Sequence, residues 1–278
     1  MVLIYGNQVL FLGPMLNAVD NPAAVKPTTP TPAEPAQPAG GADRVLFVLA
    51  ALAQHGAPIT VRELVAKTGL PKSTLYRQLM MLKRWGFVLE SDGEYAPGPI
   101  SLQLALGFDM ASHLAREALP DMQLLAQQSD ESVGLVVAVK DHVVCLEMVE
   151  SRQSLRCSFE KGRGVPLRAG ASAKSLLAFM RDEARERLVR AQCEPGEAER
   201  LLAELAAIRE TGYAVSEGEV DPGVWGVSAP LFSRRSKADA LGSITLMVPA
   251  TRRQGRESAL IDMTVAAAMR ISARLQSY

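Results

Sequence analysis

The chain has 278 residues, 48% of them hydrophobic and 22% charged, enough for one large core or two ordinary ones. Thirty basic residues cancel thirty acidic ones, so the molecule as a whole is no polyelectrolyte, and a charged partner must be met by a local patch. Three scattered cysteines and three histidines exclude a disulfide framework and a CxxC zinc site, and no apolar run approaches the roughly 20 residues of a membrane span.

Residues 1–19 are apolar but broken by Gly6, Asn7, Gln8, Gly13 and Pro14, and they carry no Lys or Arg. The basic region of a secretory signal is therefore missing, and the alternatives are a disordered leader or a start placed upstream of Met15. Six prolines fall within residues 21–42, a composition that predicts an extended tether. The folded chain is expected to begin near Asp43, as N-cap of a helix carrying Val45, Val48, Leu49 and Leu52. Thr60 and Glu63 form a capping box that opens a short helix through Lys67. Gly69 suits a helix-ending residue of positive φ, and Leu70-Pro71 completes the turn. The next helix runs from Lys72 to about Trp85, with Leu75, Leu79 and Leu82 on one face. Gly86 to Pro97, turning at Ser91-Asp92-Gly93, reads as a hairpin.

Two helices joined by a short Gly-containing turn, followed by a hairpin, make a winged helix-turn-helix. Residues 60–85 hold six basic residues (Arg62, Lys67, Lys72, Arg77, Lys83, Arg84) against the single acid Glu63. That is the local patch phosphate contacts need. Ser73 and Thr74 lie near the start of the second helix, where backbone and base edges come within reach. Arg77 and Gln78 are long enough to read bases from its middle. Lys72, Ser73, Thr74, Arg77, Gln78 and Arg84 are the candidate DNA-binding residues. A helical hairpin used only for packing is the competing reading.

Residues 100–113 form an apolar helix placed to link two domains and to pair with its copy in a second subunit. A helix follows over 115–129, with Pro120 in its first turn or at a kink. Val133 to Val139 reads as a strand buried on both faces, hairpinned through Asp141-His142 to Val143–Val149. A short strand is expected at Leu155 to Ser158. Helices are expected near 170–180, 182–191 and 196–211, then strands at 213–216, 224–232 and 240–248. A terminal helix over 257–276 turns Leu260, Ile261, Val265, Ala268, Ile271 and Leu275 to the sheet. The class is α+β, a mixed sheet with helices packed on it.

Catalytic signatures are missing: no GxxxxGK[ST], GxGxxG after a strand, HExxH or GxSxG occurs. Gly162 and Gly164 read as a turn, Cys145 as a buried inert thiol and His142 as a turn residue. Glu217, Glu219, Asp221 and Asp239 show no spacing that singles out a pair. The chain is not expected to be an enzyme or to need a cofactor or metal, and a reducing cytoplasm fits it.

Residues 43–277 resemble the IclR family of bacterial transcription factors. The resemblance rests on Ala42–Leu46, Gly69-Leu70-Pro71-Lys72-Ser73-Thr74-Leu75-Tyr76-Arg77, Gly86-Phe87-Val88 and Tyr95-Ala96-Pro97-Gly98. It continues at Leu146–Ser151, Ile208–Ala214, Pro222-Gly223-Val224 and Ser228-Ala229-Pro230-Leu231-Phe232. It implies a winged helix-turn-helix over 43–98, a linker helix over 99–114 and a GAF-like effector-binding and oligomerisation domain over 115–278. It further implies a homodimer or homotetramer on a palindromic double-stranded operator, with Ser73, Thr74 and Arg77 as recognition contacts. The implied effector pocket maps to Ala171, Ser172, Ser216, Gly226, Ser243 and Thr245.

Several positions depart from the family pattern. Arg168 stands where His is common, Ser216 where Asp is frequent and Gly226 where Cys is frequent, leaving a roomier, less acidic pocket. If Arg168 points inward it could pair bidentately with a carboxylate, which favours an organic acid as effector, aromatic acids among the candidates; the alternative is a solvated loop arginine. Trp225 falls on the face opposite Gly226 by strand alternation, which suggests a subunit contact. An architectural DNA-binding protein with a purely structural C-terminal half is the alternative function, and an enzyme with a borrowed helical module a third.

Overall fold

The computed structural model describes residues 38, 40–162, 164–234 and 239–276. The expectation of a disordered extension over 1–42 falls almost wholly outside them.

Helix α1 (Gly41–His55) starts before Asp43. Gly40 is its N-cap and makes no side-chain cap, so Asp43 sits in the first turn, where its charge meets the positive end of the helix dipole. Strand β1 (Ile59–Thr60) leads into α2 (Val61–Thr68), whose Thr60–Glu63 capping box is formed in both directions. Gly69 ends α2 at φ 67°, and α3 (Lys72–Arg84) comes next. Strands β2 (Val88–Ser91) and β3 (Glu94–Pro97) turn at Asp92 and Gly93, both with positive φ, the two-residue geometry that matches strand twist. Strand β1 adds to this wing in the order β1-β3-β2, a pairing the hairpin reading lacks. Val48, Leu52, Leu64, Leu75, Leu79, Leu82 and Val88 close one core beneath it.

Gly98 docks the wing onto the linker helix. It donates to the Phe87 carbonyl at 2.7 Å, and Ile100 donates to that of Gly86. This helix, α4 (Pro99–Ala111), breaks at Ser112, which caps α5 (His113–Ser129) by accepting from the Ala115 amide. Pro120 lies inside α5, not in its first turn.

The second core is built on a six-stranded sheet. Its strands are β4 (Ser132–Val139), β5 (His142–Val149), β6 (Gly164–Pro166), β7 (Ala214–Glu217), β8 (Val224–Leu231) and β9 (Gly242–Pro249), ordered β6-β5-β4-β9-β8-β7. Every pairing is antiparallel, which corrects the expectation of a mixed sheet; the short turns between β4 and β5 and between β7 and β8 force two of these pairings, and packing of the sheet sets the others. No strand forms over 155–158. There the Leu155 carbonyl accepts from Arg252 instead of a ladder partner.

Helices α5 and α10 (Glu257–Gln276) cover one face of the sheet; α6 (Gly170–Ala178), α7 (Asp182–Gln192) and α8 (Pro195–Thr211) cover the other. A short α9 (Ala250–Arg253) succeeds β9. The period of two sorts β8 and β9 between the faces. Trp225, Val227, Ala229, Ile244, Leu246 and Val248 join the α5–α10 core, leaving Gly226, Ser228, Ser243 and Thr245 on the α6 side. Trp225 is thus 2% exposed and packs inside the domain; it is not a subunit contact. Among the described residues no helix is long and apolar enough to cross a membrane.

Candidate nucleic-acid interface and ligand cavity

One face of α3 is consumed by the core through Leu75, Leu79 and Leu82. The opposite face leaves Lys72, Ser73, Arg77 and Arg84 exposed and Thr74 half-exposed, with no acid in the first turn. Gln78 does not belong with them. It is 2% exposed, three residues on from Leu75, and its Oε1 has no hydrogen-bond partner, so it is turned into the core and away from the exposed stripe. Lys83 is tied to Glu90 of the wing at 2.7 Å, which reduces the free charge the patch presents.

Helical spacing from Ser73 and Arg77 brings two further side chains onto the outer stripe. Tyr76 is 42% exposed with the Lys72 ammonium 5.7 Å from its ring centre, and Met80 is 71% exposed. The signal for them is legible in the sequence, since both sit three or four residues from a candidate contact; their apolar type argues for packing and hides it.

In the second domain a cavity of about 320 Å³ opens between the N-terminal end of α6 and strands β7, β8 and β9. Ala171, Ser172, Ser216, Gly226 and Thr245 line it together. Two segments that the sequence reading does not assign to the site close it: the stretch Leu155–Phe159 and the loop Glu219–Gly223. Gly226 leaves room on the lining: a Cβ there would fit, in ordinary contact with Ala171, Ser216 and the Leu246 carbonyl. Arg168 is exposed and stands outside the lining, on the solvent side, and is not placed to clamp a carboxylate in this cavity. Among the described residues the basic one on the lining is Arg156, which already donates to Glu150 at 2.8 Å.

Ser243 also lies off the lining, one layer deeper. It belongs to a run of buried hydroxyls: Ser172 to Thr245 (2.9 Å), Thr245 to Ser228 (2.8 Å), Ser228 to Ser243 (2.7 Å) and Ser243 to Ser175 (2.9 Å). Beside it Lys174, 9% exposed at the side chain, donates to Glu204 (2.7 Å) and Glu219 (2.6 Å). Burial alone would lower its pKa, but the hydrogen bonds and charges of the two carboxylates hold it above the ordinary lysine value. Glu219 also accepts from the Gly170 amide and Ser216 from the Ala171 amide, so the chain itself satisfies the first donors of α6.

Burial pushes the Cys145 thiol up to about 11, leaving it protonated at neutral pH, and burial also raises Cys157 on the cavity wall.

Two family models cover the folded chain. The IclR helix-turn-helix domain matches residues 41–92, and the C-terminal domain of the bacterial transcriptional regulator IclR matches residues 110–273. The chain is 32% identical over 220 residues to the transcriptional regulator SauR of Cupriavidus necator, covering 76% of this chain and 86% of that protein. It is 30% identical over 201 residues to the HTH-type transcriptional regulator KipR of Bacillus subtilis, covering 69% and 80%. Among solved structures, an IclR homologue from Microbacterium hydrocarbonoxydans complexed with 4-hydroxybenzoate has a TM-score of 0.66 at 24% identity, over 86% of this chain and 100% of that one. The regulator from Alicyclobacillus acidocaldarius has a TM-score of 0.67 at 23% identity, over 85% and 97%. These two are likenesses of fold.

Proposed function

The chain belongs to the IclR family of bacterial transcriptional regulators, and on that premise we propose that it binds a palindromic operator as a homodimer or homotetramer in the cytoplasm and changes its affinity when a small molecule enters the α6–sheet cavity. The observation that carries this reading is the presence, in one chain, of an exposed basic helix and a largely apolar cavity in a separate core. An architectural DNA-binding protein would need the first and leave the second without a purpose.

Lys72, Ser73, Thr74, Arg77 and Arg84 are the proposed DNA contacts. Arg77 suits direct readout, because a guanidinium pairs bidentately with the O6 and N7 of guanine. Lys72 and Arg84 suit phosphates. Leu102, Leu104, Leu106 and Phe108 are about half exposed or more around α4, which supports pairing of α4 with a second copy. Two recognition helices held that way would meet half-sites about 34 Å apart or a multiple. An effector acts only by binding two arrangements of the assembly with different affinity. Ala171, Ser172, Ser216, Gly226 and Thr245 are the proposed effector contacts, and the ring compound bound by the Microbacterium homologue supports an aromatic ligand here.

Fluorescence anisotropy on the protein's own upstream intergenic DNA and on a scrambled duplex, at two salt concentrations, tests the reading. Wild type should discriminate strongly, and Arg77→Ala should lose roughly tenfold to a hundredfold on the native fragment. Equal, weak binding to both duplexes that collapses with salt would refute it.

A further inference from the structure

A single arrangement of protons satisfies the five shortest contacts among the buried hydroxyls between α6 and the sheet. Ser172, Thr245, Ser228, Ser243 and Ser175 make four successive contacts of 2.7–2.9 Å, and Ser243 Oγ makes a fifth, at 2.8 Å, to the Ala229 carbonyl. Each hydroxyl brings one proton, so five protons serve five contacts. The carbonyl has none to give, and its contact must therefore use the proton of Ser243. Ser175 and Ser228 then both donate to Ser243, Thr245 donates to Ser228, and Ser172 donates to Thr245. Diverting the Ser228 proton to the Ile244 carbonyl, 3.2 Å away, would leave one of the shorter contacts of Ser243, to Ser228 at 2.7 Å or to the Ala229 carbonyl at 2.8 Å, with no hydrogen, and Thr245 would still donate to Ser228.

The direction of the chain decides what the cavity offers a ligand. Ser172 and Thr245 are its two members on the lining, and both have their protons committed inward, so they meet the ligand with lone pairs. Ser216, also on the lining, accepts from the Ala171 amide at 2.8 Å, a bond that leaves its own proton to give. A hydroxyl satisfies both sides, taking a proton from Ser216 and giving its own to Ser172 or Thr245. A carboxylate or an ether has no proton to give and would set oxygen against oxygen. Around this corner the walls are apolar, formed by Val143, Phe159, Val165, Val220 and Met247; of the charged groups on the lining Glu219 is paired with Lys174 and Arg156 with Glu150, and Asp221 adds negative charge that disfavours an anion. A second space of about 280 Å³ shares Val143, Phe159, Val165 and Val220 with the first and gives room for a larger apolar body.

We infer that the effector is a neutral compound with an apolar body and a hydroxyl group, a phenol or alcohol, held by that hydroxyl at the Ser172–Thr245–Ser216 corner. The inference rests on the reading of this cavity as the effector site. It replaces the carboxylate clamp at Arg168 with recognition by a hydrogen-bond donor.

Calorimetric titration of the full chain with 2-naphthol, 2-methoxynaphthalene and 2-naphthoate tests it. The three share one ring system and differ in whether the oxygen can donate. 2-Naphthol should bind about tenfold or more tightly than either of the others, the ordinary consequence of leaving a buried polar group without its partner. Ser228→Ala removes a side chain that does not touch the cavity but takes away the acceptor of Thr245. The freed proton can then turn to the ligand, and the advantage of 2-naphthol over 2-methoxynaphthalene should collapse. Thr245→Val removes the acceptor of Ser172 and should abolish or invert the same preference. Ser175→Ala, which does not set the direction, should leave it unchanged. Equal or tighter binding of the ether or the carboxylate to wild type overturns the hydroxyl inference but leaves the cavity as a ligand site, as does an advantage that survives both Ser228→Ala and Thr245→Val. No saturable heat with any of the three overturns the inference together with the cavity reading on which it rests.

Discussion

Single residues show how burial overrules side-chain type. Gln78 and Arg77 are neighbours on α3, both long and polar, yet one rotation of 100° puts Arg77 in solvent and Gln78 in the core beside Leu75 and Leu79. A buried amide oxygen without a partner costs about 1–3 kcal/mol relative to an apolar group of similar shape. Gln78→Leu is therefore expected to leave operator discrimination within twofold of wild type and to hold or raise the urea midpoint. A loss of discrimination as large as that of Arg77→Ala would show that Gln78 reaches DNA after all. Arg168 and Trp225 carry the same lesson in opposite directions. The arginine next to α6 stays outside in water, and the tryptophan fills the α5–α10 core.

At the scale of elements, local chemistry places most ends. The Thr60–Glu63 box and Gly69 bound α2, and Asp92-Gly93 turns the wing, each for a reason confined to a few neighbouring residues. Gly98 is different, because its constraint comes from tertiary contact at an ordinary φ of −92°. A Cβ there would lie 2.3 Å from the Gly86 carbonyl oxygen and 2.9 Å from the Val88 nitrogen, backbone atoms that cannot yield. Gly98→Ala should shift the start of α4 off the wing and cost about 2 kcal/mol or more, read as a lower midpoint in urea denaturation. An unchanged midpoint would mean that the wing and α4 separate without cost, and α4 could not then orient the recognition helix.

Across the whole molecule, formal neutrality hides charge that is spent in pairs. Glu131, 1% exposed, accepts two hydrogen bonds from Arg252, whose third contact holds the Leu155 carbonyl of the segment closing the cavity. Arg256 reaches Glu131 as well and donates to the Ser129 carbonyl at the end of α5. The cavity wall and the helix that continues α4 are thereby joined through one buried carboxylate. Asp121 in α5 binds α10 through Arg270 and Arg274. Burial would push its carboxyl up, but the hydrogen bonds and charges of the two arginines outweigh that and hold it below the ordinary aspartate value. A depressed folded pKa adds stability that is complete above the unfolded value of about 3.9 and fades as pH falls through the folded one. The difference in urea midpoint between wild type and Asp121→Asn should therefore stay constant from pH 7 to about pH 5 and shrink below about pH 4. A difference that persisted at pH 2 would rule out the ionised carboxylate as its source.

The sequence by itself determined what depends on neighbours along the chain. That includes the caps and turns of the helix-turn-helix, the wing hairpin, the basic stripe of α3, the order of the later strands and helices, and the family to which the whole belongs. The tertiary structure decided what depends on which faces meet. Antiparallel pairing, the burial of Gln78 and Trp225, the exclusion of Arg168 and the two segments that close the cavity all required the packed sheet. So did the hydroxyl chain, whose members come from α6, β8 and β9 and lie up to 73 positions apart. Periodicity reports the face a residue occupies on its own element. Only packing brings faces of distant elements within hydrogen-bond range, and the direction of that proton chain exists only once they meet.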